Sequence, residues 1–224
     1  MILVVLSATF SARAQGPFQN LGFESASIPN LNPPDQFVIL PIGQALPGWS
    51  GFLGTNQATQ VFYNGISAGP AEISLVGRNT DIWSNNVIAG NYTVVLQAGG
   101  AGVQVSAAIA QTGLIPVNSL SIQFGISGVS GSIGGFDVSF DGQNIPIVPL
   151  RSFSNYELYG GDISAFAGQS GELRFTENPT VIAPFGTIYL DEISFSINPV
   201  PEPSTWALLV CGAGAFIVSR RRKK

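Results

Sequence analysis

Along most of the chain apolar and polar residues alternate with a period of two, the spacing of a strand that buries one face. Leu120, Ile122, Phe124 and Ile126 alternate with Ser121, Gln123 and Gly125, and Val103, Val105, Ala107 and Ile109 repeat the pattern. Both stretches predict half-buried strands. Further strands are expected at 18–24, 36–42, 60–66, 71–76, 92–98, 155–159, 171–176 and 186–197, with turns such as Gly99-Gly100-Ala101-Gly102 between them. The sharpest local prediction is a hairpin of residues 136–140 and 143–147, because the intervening Asp141-Gly142 suits a two-residue turn with positive φ. Pairing across that turn sets Val138 opposite Ile145 and Phe136 opposite Ile147, so the apolar residues share one face. Pro146 removes a ladder donor, which places the second strand at a sheet edge. In the last segment Ile188 and Leu190 occupy even positions, whereas Ile193, Phe195 and Ile197 occupy odd ones. A β-bulge at Asp191-Glu192 would restore the inward face and re-aim two carboxylates.

Eight or more strands within about 180 residues predict an all-β, jelly-roll-like β-sandwich. The 224-residue length suits one such domain. Its 27 glycines and 15 prolines, set among Val, Ile, Phe, Ser and Thr, agree with short strands joined by turns. Unbroken apolar runs occur only at the two ends.

At the N-terminus, the apolar residues 2–10 precede Ala12-Arg13-Ala14, an A-x-A cleavage signal, so residues 1–14 are expected to be a signal peptide cut between Ala14 and Gln15. The leader lacks a Lys or Arg ahead of its apolar stretch. Residues 15–198 are the expected sandwich. At the C-terminus three parts follow in order: Pro201-Glu202-Pro203, the apolar segment 206–218, and the basic cluster 220–224. Thirteen apolar residues fall short of the roughly 20 that span a bilayer comfortably, so a single short transmembrane helix, transient and thinned or tilted, is expected there. The five cations hold the end cytoplasmic and leave Pro-Glu-Pro at the outer face of the inner membrane. Prolines on both sides of Glu202 disfavour helix and ladder alike, keeping the motif extended. Residues 199–224 closely resemble the PEP-CTERM sorting signal, whose Pro-Glu-Pro is recognised by an exosortase, a membrane-embedded cysteine protease-transpeptidase. That resemblance implies an exosortase as partner, passage through the inner membrane, and delivery to the cell surface or extracellular matrix.

The overall charge of −4 hides an asymmetry, because five of the nine basic residues form the terminal cluster and Arg13 lies in the leader. From residue 15 to 203, three arginines face thirteen acids, a net of −10. So acidic a domain repels phosphate backbones, which argues against nucleic acid as a partner. The only cysteine, Cys211, lies in the C-terminal apolar run, and histidine is absent. Neither a Ser-His-Asp triad nor a thiolate nucleophile can then be assembled in the domain. Paired carboxylates remain, and Asp81, Asp137, Asp141 and Asp162 show no spacing that singles out a glycosidase pair. A non-enzymatic role is expected.

Asn20-Leu-Gly-Phe-Glu24, Leu46-Pro-Gly-Trp49 and Tyr189-Leu-Asp-Glu-Ile193 resemble the first and last strand motifs of galactose-binding-like jelly rolls, which include several carbohydrate-binding modules. The 162–169 and 172–175 stretches also resemble a segment frequent in PEP-CTERM passengers. The first resemblance implies a structural Ca²⁺ with Glu24 and Asp191 among its ligands, both hard oxygen donors. For sugar binding the candidate platforms are Trp83, in a polar loop-like stretch, with Tyr63 and Tyr92. Trp49, which follows Pro-Gly, is expected to plug the core. Two function classes stand open: a surface or matrix structural protein sorted by an exosortase, and a carbohydrate-binding module for extracellular polysaccharide delivered the same way.

Overall fold

The structure, a computed structural model, describes residues 16–34, 36–67, 69–78, 84–100, 104–128 and 132–200. Among them the predicted alternation condenses into two sheets. The larger takes β1 (Val38–Pro41), β4 (Gln60–Tyr63), β5 (Glu72–Gly77), β6 (Tyr92–Gln97), β8 (Ser121–Gly128), β11 (Ile147–Ser152), β12 (Glu157–Asp162) and β14 (Thr187–Ser196). Their order is β1-β4-β5-β6-β14-β8-β12-β11, antiparallel except where β4 meets β5. The smaller sheet takes β2 (Ser50–Leu53), β3 (Asn56–Ala58), β7 (Ala107–Leu114), β9 (Phe136–Phe140), β10 (Gln143–Asn144) and β13 (Ser170–Glu177), in the order β10-β9-β13-β7-β2-β3. Apolar residues of one phase from both sheets meet between them, among them Leu75, Leu96, Ile109, Phe124, Phe140, Leu173 and Phe175. The fold is a β-sandwich, and Trp49 does plug its core, donating from Nε1 to the Asn20 carbonyl.

The hairpin forms as expected at its turn: Asp141 and Gly142 both have positive φ, and Gln143 and Asn144 pair with Phe140 and Ser139. The Ile145 N–H still reaches the Val138 carbonyl. Beyond it the expected pairing of Phe136 with Ile147 does not occur. Pro146 cannot donate, the chain leaves the small sheet, and Ile147 pairs with Gly161 in the large one. Both halves of this crossing strand lie at edges, β10 of one sheet and β11 of the other.

The bulge is also present. Asp191 pairs with Gly125 and Ser194 with Gln123, so Glu192 and Ile193 together oppose a single residue, and Glu192 takes a φ of 54°. Ile188, Leu190 and Ile193 consequently all face the core.

Residues 18–24 are not a strand. Asn20 and Phe23 adopt positive φ, which breaks the extended run and folds Phe23 inward against Trp49, with ring centroids 5.7 Å apart. Leu120 stands outside the ladder, which starts at Ser121, and is exposed. Strands β2, β3 and β11 were not anticipated.

The outer face of the large sheet carries a second, smaller apolar cluster of Val76, Val87, Ile88, Val95 and Tyr189. The 84–91 segment lies over β5 and β6 there, which is why every residue of β5 is buried.

Candidate functional site

The bulge sends Asp191 to that outer face, where its oxygens meet donors from the covering segment. Oδ2 accepts from the Thr93 hydroxyl at 2.7 Å and the Ala89 N–H at 3.2 Å, and Oδ1 accepts from the Glu192 N–H at 2.7 Å. Burial pushes the Asp191 carboxyl up to about 7, against the opposing effect of these hydrogen bonds. Glu24 grips the same segment from its other side: Oε1 accepts the N–H groups of Asn91 and Tyr92, and Oε2 accepts from Asn91 Nδ2. The two residues singled out as metal ligands thus converge on residues 89–93. Among the described residues no group of three His, Cys, Asp or Glu side chains forms a metal cluster. Both are hard oxygen donors of the kind Ca²⁺ takes, and both already accept hydrogen bonds from the 89–93 segment or the bulge.

Tyr63 and Tyr92 also come together, with ring centroids 6.4 Å apart in an edge-on arrangement. They wall a cleft of about 470 Å³ whose other side is the 28–34 segment. Tyr63 belongs to the core and Tyr92 is half-buried. Trp83 lies outside the described residues, as do Ala14, Gln15, Pro201, Glu202, Pro203 and Asp81. Of the remaining acids considered for catalysis, Asp137 accepts from Asn178, Asp141 from the Glu172 N–H and Asp162 from the Ser164 N–H. They serve turns and strand ends, and none of the three lines the cleft beside Tyr63 and Tyr92.

A larger cleft, of about 600 Å³, opens where β8, β12 and β14 meet the β11–β12 turn. In register, Glu157 sits opposite Ile126 and Tyr159 opposite Phe124, on the side of β8's core residues, with Glu157 exposed at the strand end and Tyr159 partly buried. Phe153 and Tyr156, on the turn, form a parallel stack with centroids 4.6 Å apart and planes inclined by 15°. Arg151 lies over the Phe153 ring at 4.8 Å. A Cβ at position 125 would lie 3.0 Å from the Tyr156 ring, so glycine is what lets the ring settle there. Tyr159 donates to Glu157 Oε2 at 2.9 Å and Ser152 to Oε1 at 3.4 Å. Burial, then the bond to Glu157, pushes the Tyr159 phenol up to about 12, so it stays a donor at neutral pH. Ile126, Ile133 and Ile188 supply an apolar wall. The cleft therefore joins exposed aromatic surface to a carboxylate, hydroxyls and the Asn155 amide, the mixture that binds a polyol by stacking and hydrogen bonding. Sequence reading passed over it, although three aromatics at 153, 156 and 159 within the Ser- and Asn-rich run Ser152–Tyr159 were a usable signal.

Residues 199–223 match the family model of the PEP-CTERM protein-sorting motif. The chain carries a sorting signal. This motif marks a protein that is exported, passes the membrane and is sorted to the surface, with an exosortase as the processing partner it implies. No curated protein matches the chain. Among solved structures it is similar to the Stig cyclase Fisc of Fischerella sp. TAU, at 13% identity and TM-score 0.43 over 80% of this chain and 95% of that one. It is similar at the same identity to TmCBM61, solved with beta-1,4-galactotriose, at TM-score 0.40 over 82% of this chain and 99% of that one. A family 11 carbohydrate-binding module from Clostridium thermocellum is 10% identical, with TM-score 0.36, over 71% and 94%. Likenesses this distant carry no information about the ligand or activity of this chain. No helix among the described residues is long and apolar enough to cross a membrane.

Proposed function

We propose that the sandwich is a non-enzymatic carbohydrate-binding module, carried to the cell surface or extracellular matrix by the PEP-CTERM tail, with polysaccharide as its ligand. The observation that carries this reading is the Phe153–Tyr156 stack at the mouth of the larger cleft. Phe153 is exposed and stacks on Tyr156, which packs on the outer-face cluster, so the pair leaves apolar surface for a ligand to cover, and sugar rings present the flat C–H faces that aromatic rings accept. Glu157, Ser152 and Tyr159 then meet hydroxyls around the ring edge. Glu157 is the one carboxylate among the lining residues, which supports binding over glycoside hydrolysis, since that chemistry uses two acids across the bond. Tyr63 and Tyr92 form the wall of a second, smaller subsite.

The same proposal gives the protein its place in the matrix: it crosslinks or decorates polysaccharide after an exosortase removes the tail beyond Pro201-Glu202-Pro203. A Ca²⁺ held by Glu24 and Asp191 keeps the 89–93 segment fixed on the outer face. The test is a glycan array together with a polysaccharide pull-down of the exported protein. Retention on one or a few glycans, lost in Tyr156→Ala, supports the proposal. An array with no retained glycan leaves the structural-protein reading in its place.

A further inference from the structure

Strand β13 alternates cleanly, burying Gly171, Leu173, Phe175 and Glu177 while the residues between them are partly exposed. Leu173 and Phe175 lie in the core, so the same phase, continued by two residues, delivers a carboxylate between the sheets. Glu177 is 0% exposed, and neither of its oxygens has a hydrogen-bond partner among the described residues. A charge or a polar pair placed there needs compensation. The domain has almost nothing to offer. Between residues 15 and 203 it holds no lysine, no histidine and three arginines. Arg174 is bound to Glu172, Arg78 donates to the Gly90 carbonyl, and Arg151 lies over Phe153. Asp137, on the neighbouring strand, adds negative charge, and burial with that charge pushes Glu177 up to about 8.

The segments next to this end of β13 carry neutral oxygens. The Glu177 carboxylate lies against Gly186, where a Cβ would meet Oε1, and that Cβ position lies 3.6 Å from the Ala183 carbonyl oxygen. The Thr187 N–H donates to the buried Ser132 hydroxyl at 2.9 Å. Asn178 donates to the Gly135 carbonyl from both its N–H and its side chain, fastening the 132–135 turn to the strand end.

We infer that Glu177 is the anionic ligand of a cation site at this end of the sandwich, completed by carbonyl and hydroxyl oxygens of the 132–135 and 183–187 segments. All the donors are oxygens, which selects a hard cation, and the mixture of one carboxylate with neutral oxygens in loops fits the loose coordination of Ca²⁺ better than the strict octahedron of Mg²⁺. The site is distinct from Glu24 and Asp191: it lies between the sheets, not on the outer face.

The experiment is thermal melting of the full chain in detergent, with Ca²⁺ or EDTA, at pH 8.5 and pH 5.5, in an Asp191→Asn background that silences the other calcium reading. At pH 8.5, Ca²⁺ at about a hundred times its Kd is expected to raise the melting temperature by roughly 5–10 °C. At pH 5.5 the proton competes and the rise shrinks. Adding Glu177→Gln, which keeps the shape, abolishes the rise. A rise of equal size with Glu177→Gln, or no rise in the Asp191→Asn background, overturns the inference. If Asp191→Asn fails to fold, calorimetric titration with Ca²⁺ decides: Glu177→Gln must bind one ion fewer than the wild-type chain, and an unchanged count overturns it.

Discussion

The Thr93 hydroxyl donates to Asp191 Oδ2 at 2.7 Å, joining β6 to the bulge of β14 on the outer face of the large sheet. The Ala89 and Glu192 N–H groups donate to the same carboxylate, so Asp191 ties the 84–91 covering segment, through Ala89, to the bulge. Asp191→Ala leaves buried donors without acceptors and is expected to cost roughly 2–4 kcal/mol. Thr93→Val, which keeps the volume but removes one donor, should cost about 1 kcal/mol. Denaturant unfolding of the two variants measures both. Under the calcium reading of this site, EDTA lowers the wild-type melting temperature, and Asp191→Ala loses that part of the response. A wild-type melt unmoved by EDTA would remove Ca²⁺ from both Asp191 and Glu177.

In the larger cleft the prediction separates ligand binding from folding. Phe153 is 40% exposed and its truncation removes little from the core. Phe153→Ala should therefore leave the melting temperature nearly unchanged while weakening retention on polysaccharide by about tenfold, the effect of losing about 1.4 kcal/mol of stacking. Tyr156→Ala should weaken it at least as much, with a modest stability loss, because its ring also packs against Gly125 and Ile88. Retention unchanged in both variants would rule out this cleft as the sugar site.

Three buried acids set the response to pH, with Glu72 also pushed up by burial. Glu177 is raised to about 8 and Asp191 to about 7, both above the ordinary carboxylate range. Across the interval from pH 5 to pH 8.5 the folded chain therefore binds more protons than the unfolded one, and stability falls as pH rises. In EDTA the melting temperature is expected to be highest near the acidic end and to decline through pH 7–8. Glu177→Gln cannot ionise, so it flattens the upper part of that decline. A wild-type melting temperature that rises from pH 5 to pH 8.5 in EDTA contradicts the assignment.

Much of this architecture was legible because local chemistry and global fold agree. Asp141-Gly142 dictates a turn that no distant contact needs to enforce, and the phase slip between Leu190 and Ile193 forces a bulge once the core side is known. Pro146 marked an edge, but its consequence was larger than an edge: the strand changes sheets there, and only the position of β12 decides where Ile147 goes. The loss of the 18–24 strand has the same cause, since Phe23 turns inward to meet Trp49, a contact between distant residues. Glu24 and Asp191 were singled out from motif resemblance, and the structure brings both to one segment, where they accept hydrogen bonds. Glu177 and the Phe153–Tyr156 stack were not, because burial of an acid at the end of an ordinary alternating strand, and the exposure of two rings on a turn, exist only after the sheets are packed.

Residues 199–223 match the sorting motif, and the described domain delivers the chain to it cleanly: β14 ends at Ser196, and Asn198 is still tied to the sheet through its carbonyl, which accepts from the Ser121 hydroxyl at 2.7 Å. Only a few residues then separate the folded domain from Pro201-Glu202-Pro203 in the sequence, and two more separate that motif from the apolar segment 206–218. A membrane enzyme acting there works in a narrow gap, and an extended, proline-flanked motif suits it because neither helix nor sheet can draw it in. Glu202→Ala leaves residues 1–14 and the domain untouched, so export and the melting temperature should not change. Processing should fail, and residues 206–224 should stay attached in the inner membrane. Fractionation with a C-terminal epitope tag reads this directly: the tag is lost from the wild-type surface protein and retained, in the membrane fraction, by the variant. A wild-type protein that carries its tag to the surface would make the tail a permanent anchor instead of a processed one.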